Sequence, residues 1–164
     1  MALSLADFNA LPAADAEREL LACCAAPTWA RAVAGGRPYQ DRMALHAAGD
    51  TAARTLTWAD VVLALSAHPR IGERPVGEGR EAAWSRREQA GADEPSVALA
   101  LVEANREYEE RFGHVFLIFA TGKSAPEMLA AARARLAHDD ETERPVVREE
   151  LRKIALLRLE RLVP

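Results

Sequence analysis

His68, Glu88 and Gln89 are the residues of this chain whose types and spacing suit proton chemistry. His68 opens the run His68-Pro69-Arg70-Ile71-Gly72-Glu73, and the other two stand side by side in Ser85-Arg86-Arg87-Glu88-Gln89-Ala90-Gly91. An imidazole and a carboxylate brought together can move protons near neutral pH without a metal or an organic cofactor. His68 is expected in the last turn of a helix, where the partial negative charge of the helix end favours an imidazolium. A plain C-capping histidine fits the same position. Ser85, Glu88 and Gln89 stand three and four apart, so a short helix sets them on or near one face. They either converge on a small polar ligand or form a solvated face with Arg86 and Arg87.

Arg158 is an independent signal. At ~100° per residue along the last helix, Val147, Leu151, Ile154 and Leu162 form an apolar stripe, and Arg158 falls inside it. An arginine aimed at a core needs an anionic partner, supplied by a site or by an internal ion pair, unless its head snorkels back to water. Two other motifs carry no chemistry. Ala120-Thr121-Gly122-Lys123-Ser124 ends like a phosphate-binding loop, but Leu117 stands where that motif needs its first glycine. His46, His68, His114 and His138 are scattered, without HxxH, HExxH or a Cys/His cluster, so no metal site is expected. Cys23 and Cys24 are adjacent, lack the CxxC spacing and read as helix-wall residues.

The elements that must position these groups read as successive helices. Ala, Leu, Glu and Arg, all strong helix formers, dominate the 164 residues, a length that suits one domain spanning 1–164. The net charge of −4 argues against a nucleic-acid partner. No apolar run reaches the ~18 residues that span a bilayer. The start Met1-Ala2-Leu3-Ser4-Leu5-Ala6-Asp7 lacks a signal-peptide pattern, and Arg161-Leu162-Val163-Pro164 is not a peroxisomal ending, so the cytoplasm is expected.

Ser4 and Asp7 predict a first helix start, and a second helix runs from about Pro12 to Cys24. Pro27-Thr28-Trp29 opens a short helical turn, closed by the break Gly35-Gly36-Arg37-Pro38. A helix over 40–49 should end near Gly49. Thr57 with Asp60 caps the next, which stops by His68 because Pro69 disfavours helical geometry before it. A loop covers 69–79 and a helix 80–90. Val97, Leu101, Ala104, Tyr108 and Phe112 mark the apolar face of a helix from about Glu94 to Phe112, stopped by Gly113. Val115 to Ala120 is read as a buried, irregular extended segment. Ser124-Ala125-Pro126-Glu127 is a capping box opening a helix through Leu136, and a last helix runs from about Arg144 to Leu162.

Four motifs in order then resemble the 2-oxo-4-hydroxy-4-carboxy-5-ureidoimidazoline (OHCU) decarboxylases. They are His68-Pro69-x-Ile71-Gly72, Ser85-x-x-Glu88-Gln89-Ala90-Gly91, Phe112-Gly113-His114-Val115-Phe116-Leu117-Ile118 and Arg133-x-Arg135-Leu136. The opening Leu5-Ala6-Asp7-Phe8-Asn9 is similar too, so the resemblance covers nearly the whole chain. It implies an all-α, single-domain bundle of about eight or nine helices with short loops. It implies a cofactor-independent carboxy-lyase of urate breakdown that forms (S)-allantoin, commonly as a homodimer. It further implies that His68 is the catalytic histidine and Glu88 its acidic partner. Pro69, Ser85, Gln89, the backbone of Ile118, Phe119 and Ala120, and Arg158 would line the substrate pocket. His138 departs from the family, where many relatives have an asparagine nearby; the departure bears on the loop there and not on the chemistry. Without the resemblance, a helical ligand-binding or protein-interaction module stays open.

Overall fold

Helix-start chemistry and apolar periodicity account for most of the architecture. The computed structural model describes residues 1–73, 79–92 and 95–164. Among these residues there are nine α-helices and one 3-10 turn, and no strand. The all-α expectation therefore holds. The helices group into two compact units, residues 1–64 with 151–164, and residues 65–150.

The first unit begins with α1 (Leu5–Ala10), where the Ser4 hydroxyl accepts the Asp7 N–H at 3.1 Å. It continues through α2 (Ala13–Cys23), α3 (Pro27–Gly35), α4 (Arg42–Arg54) and most of α5 (Trp58–Leu65). Thr57 and Asp60 cap α5 reciprocally, each side chain accepting the other's N–H at 3.2 and 3.0 Å. Phe8, Leu20, Trp29, Val33, Leu45 and Leu159 are buried here. Two expectations are corrected. Pro27 opens a full helix rather than a turn, in keeping with proline's preference for the first helical position. And α4 runs past Gly49 to Arg54. Gly49 is a packing glycine, not a stop: a Cβ there would lie 2.8 Å from Leu159 Cδ2, and the Trp29 indole donates to the Gly49 carbonyl at 2.9 Å.

The second unit holds α6 (Arg80–Glu88), the 3-10 turn Ala90–Ala92, α7 (Pro95–Phe112) and α8 (Ala125–Arg135), with the start of α9 (Asp140–Leu162). Its core joins Ile71, Leu101, Ala104, Tyr108, Phe116, Ile118, Ala120, Met128 and Leu129. α7 packs against α8, and the 3-10 turn packs against both α6 and α8. The expected start of α7 at Glu94 and part of the expected 69–79 loop lie outside the described residues. Gly113, at φ +79°, ends α7, and residues 115–120 have no regular secondary structure, both as expected. The Ser124/Glu127 capping box is present. α9 starts earlier than Arg144, because the Asp139 carboxylate accepts the Thr142 N–H at 2.7 Å and caps it there. Pro145 is thereby drawn inside the helix, where it removes the bond to the carbonyl one turn back and its ring crowds that carbonyl.

Candidate active site

The loop carrying His68 is built from the end of α5 outward. The helix stops at Leu65, and His68 follows it, its N–H donating to the Leu65 carbonyl at 3.0 Å. The expected position in the last helical turn is therefore corrected: His68 stands on the loop after the helix, where Pro69 disfavours helical geometry in the residue before it. His68 and Pro69 are half-buried. A turn follows at once, in which the Glu73 N–H donates to the Arg70 carbonyl at 3.0 Å and Gly72 takes φ +91°. Positive φ at the third residue is the mark of a type II turn, and glycine adopts it at no steric cost. Ile71, the residue before, buries its side chain in the core.

α6 presents the second part of the constellation. Ser85 and Glu88 are buried, at 5% and 7% exposure, whereas Arg86 and Arg87 face outward. For Ser85 and Glu88 the solvated-face reading is overturned. Gln89, half-buried, caps the helix, and its Oε1 accepts the Gly72 N–H at 3.1 Å. That bond ties the end of α6 to the turn behind His68. Because an N–H only donates, it also assigns the side-chain amide: oxygen toward Gly72, nitrogen away from it.

Ile118 and Ala120 are buried and Phe119 is half-buried. The segment is held by its carbonyls. Arg135 donates to the Leu117 oxygen at 2.7 Å, the Lys123 ammonium to the Phe119 oxygen at 2.9 Å, and the Lys123 N–H to the Ala120 oxygen at 3.0 Å. Arg135 is itself buried beside Glu143, its Nε 2.6 Å from Oε1, and its guanidinium lies 4.7 Å over the Phe116 ring. The Tyr108 hydroxyl donates to the same carboxylate at 2.6 Å, and His138 Nδ1 lies 2.8 Å from its other oxygen. Burial alone pushes the Glu143 carboxyl up, but hydrogen bonds from Arg135, Tyr108 and His138 outweigh it and hold the group below the usual range. Burial pushes the Tyr108 phenol well above its ordinary value, and the Glu143 hydrogen bond adds to the shift. His138, the departure noted above, thus becomes a member of this network.

Sequence reasoning missed this network and missed Asn105. Asn105 is 3% exposed and donates from Nδ2 to the Ile71 carbonyl at 2.7 Å. Its signal was legible: at one turn from both Leu101 and Tyr108, it is a polar residue on the apolar face of α7, the test that singled out Arg158.

Arg158 belongs to the first unit, the other candidate residues to the second. The stripe on α9 is as expected: Val147, Leu151, Ile154 and Leu162 are buried, and so is Arg158, at 5% exposure. Its NH1 lies 3.5 Å from the Ala22 carbonyl. Burial pushes the neighbouring Cys24 thiol up to about 12, against a lowering pull from an Ala26 backbone hydrogen bond and from Arg158. Cys24 is therefore no nucleophile at neutral pH.

Residues 9–160 match the family model described as OHCU decarboxylase. The chain is 31% identical over 152 residues to the uric acid degradation bifunctional protein TTL of Arabidopsis thaliana, covering 89% of this chain but 47% of that relative. It is 31% identical over 141 residues to the 2-oxo-4-hydroxy-4-carboxy-5-ureidoimidazoline decarboxylase of Amia calva, covering 84% of this chain and 81% of the relative. Among solved structures, a crystal structure of OHCU decarboxylase in the presence of (S)-allantoin superposes with a TM-score of 0.74 at 29% identity, covering 88% of this chain and 96% of the other.

Proposed function

The chain belongs to the OHCU decarboxylase family, and we propose that it removes CO2 from 2-oxo-4-hydroxy-4-carboxy-5-ureidoimidazoline to give (S)-allantoin, as part of urate breakdown. The observation that carries this reading is the pairing of α6 with the His68 loop. A carboxylate is buried at Glu88, and its neighbour Gln89 bonds the turn that follows His68. Burying a carboxylate is costly, and such groups concentrate where chemistry needs them.

The chemistry fits these residues. The substrate carries its carboxylate on a carbon beside a ring C=N bond. When the bond to CO2 breaks, its electron pair forms a C=C bond in the ring, and the C=N pair moves onto nitrogen, which takes a proton. The substrate thus supplies its own electron sink, and the reaction has no need of an external one. The resulting enol loses its hydroxyl proton to become a carbonyl, and the adjacent ring carbon gains a proton on one face. His68, steered by Glu88, carries out these proton transfers. Pro69, Ser85, Gln89 and the backbone of Ile118, Phe119 and Ala120 shape the pocket, and Arg158 binds a carboxylate or carbonyl oxygen. Support for the backbone role is that the carbonyls of residues 117, 119 and 120 are taken up by Arg135 and Lys123. The segment is thereby held in one conformation, as preorganised binding requires.

The test is His68→Asn with freshly generated substrate, followed by the circular dichroism of (S)-allantoin. Turnover should fall at least about a hundredfold, the usual scale of general acid–base catalysis. Unchanged turnover would remove His68 from the chemistry. We take residues 1–164 as one catalytic domain, since the family match runs without a break through both units. A cytoplasmic homodimer is our reading of location and assembly. The dimer rests on the family resemblance and the location on the absence of a targeting pattern in the sequence; no described helix is long and apolar enough to cross a membrane.

A further inference from the structure

Ile71 and Gly72 share one peptide bond, and two side-chain amides hold it from opposite edges. Asn105 Nδ2 donates to its carbonyl oxygen at 2.7 Å, and Gln89 Oε1 accepts its N–H at 3.1 Å. This peptide is the central one of the turn over residues 70–73. In such turns the central peptide has two orientations, type I and type II, that differ by its rotation through about half a circle. Rotation would carry the oxygen away from Asn105 and the N–H away from Gln89 together. The two amides therefore select the type II form, in which Gly72 stands at φ +91°. The turn is docked on α7 a second time, since Arg70 meets Glu109 through two hydrogen bonds, at 2.5 and 3.0 Å, one helical turn beyond Asn105.

We propose that Asn105 is a positioning residue for the decarboxylation, clamping the Ile71–Gly72 peptide against Gln89 so that the loop bearing His68 and the ligand-facing nitrogen of Gln89 are set together. The proposal rests on the function proposed above. Its cost is visible. Asn105 Oδ1 is buried and accepts no hydrogen bond among the described residues. An orphaned buried acceptor destabilises a fold, so a leucine of similar size would serve the α7 core better. The asparagine holds a loop at the expense of packing. The clamp also decides what Gln89 offers. With its oxygen committed to Gly72, its remaining polar end is the NH2 group, which donates, so the ligand atom it meets is an acceptor such as a carbonyl or carboxylate oxygen.

Two variants act on the same peptide by separate routes. Asn105→Asp puts an acceptor in place of the donor facing the Ile71 oxygen. Gly72→Ala leaves the core untouched: its Cβ would meet nothing within 4 Å, but an L-residue at φ +91° is strained and favours the flipped peptide. Both should lower kcat about tenfold to a hundredfold, the scale expected when a reacting group is misplaced by an ångström. Gly72→Ala should do so with a Tm loss of only a few degrees, the scale of backbone strain at one residue. In parallel, amide hydrogen exchange at Gly72, read by NMR, should quicken in Asn105→Asp and in Gln89→Ala. The proposal is overturned if both variants keep wild-type kcat in the folded protein, or if Gly72 exchange is unchanged. A wild type that fails to decarboxylate the substrate would instead sink the proposed function, and the exchange measurement would still decide the clamp.

Discussion

Two buried polar side chains interrupt apolar helix faces, and their uses differ. Asn105 on α7 spends its donor on the Ile71 carbonyl, behind the loop that carries His68. Arg158 on α9, buried in the apolar stripe, has its NH1 3.5 Å from the Ala22 carbonyl oxygen. Its ligand role is proposed on the family resemblance, and substitution tests it. Arg158→Leu preserves volume and the apolar stripe. It should raise KM for the ureidoimidazoline about tenfold or more, the worth of one charge-assisted hydrogen bond, while the fold survives. Steady-state kinetics with a thermal melt decide it: a lowered Tm with an unchanged KM would make Arg158 a structural residue. Both side chains were findable from periodicity alone, because a polar residue inside a 3.6-residue apolar stripe is visible without knowing the fold. Their partners were not, because Ile71 and Ala22 lie far from them in the chain.

At the level of elements, the 3-10 turn and the start of α8 approach closely at Gly91. A Cβ on Gly91 would lie 2.1 Å from the Lys123 carbonyl oxygen, a backbone atom that cannot swing aside. Next to it, the Ser124 capping box opens α8, and Lys123 holds the Phe119 and Ala120 carbonyls. Ser124→Ala should cost about 1 kcal/mol, the ordinary loss of an N-cap. Gly91→Ala should cost more, because the two backbones must part, and it should also impair turnover by displacing the 118–120 segment. Urea unfolding of the two variants beside wild type gives the ranking; equal losses would mean that the contact relaxes freely. The glycine of the Glu88-Gln89-Ala90-Gly91 motif is thus explained by close approach. The motif was readable in the sequence, but its reason was not, because the clash is with a residue of another element. Helix ends show the same limit. Caps at Ser4, Thr57 and Ser124 were read correctly from local chemistry, whereas the extent of α4 past Gly49 depended on Trp29 and Leu159 packing over that glycine.

For the molecule as a whole, the Arg135–Glu143 network is expected to contribute to the response to acid. The Glu143 carboxyl is held below its ordinary value in the folded state. A depressed carboxylate contributes stability that is fully present above its unfolded pKa and is lost as pH falls through the folded one. Stability should therefore decline on acidification from the ordinary carboxylate range downward, as Glu143 takes up a proton and leaves Arg135 without its counter-charge. Glu143→Gln should be less stable at neutral pH and show a flatter acid limb. Urea midpoints across that range measure both, and parallel curves for the two proteins would show that Glu143 does not govern the acid response. Residues drawn from α7, α8, the start of α9 and the loop between the last two meet at this carboxylate.

The sequence by itself determined eight of the nine helices among the described residues, most of their caps, the irregular segment over 115–120 and, through four ordered motifs, the family. These properties depend on neighbours within a turn or two along the chain, and such neighbours are written in the sequence. Only the tertiary structure decided that His68 stands beyond α5, that Ser85 and Glu88 turn inward, that Arg135 pairs with Glu143, and that Asn105 and Gln89 grip the same peptide. Each of those depends on which elements pack side by side, and a hydrogen bond or ion pair forms only when its partners come within about 3 Å, whatever their separation along the chain.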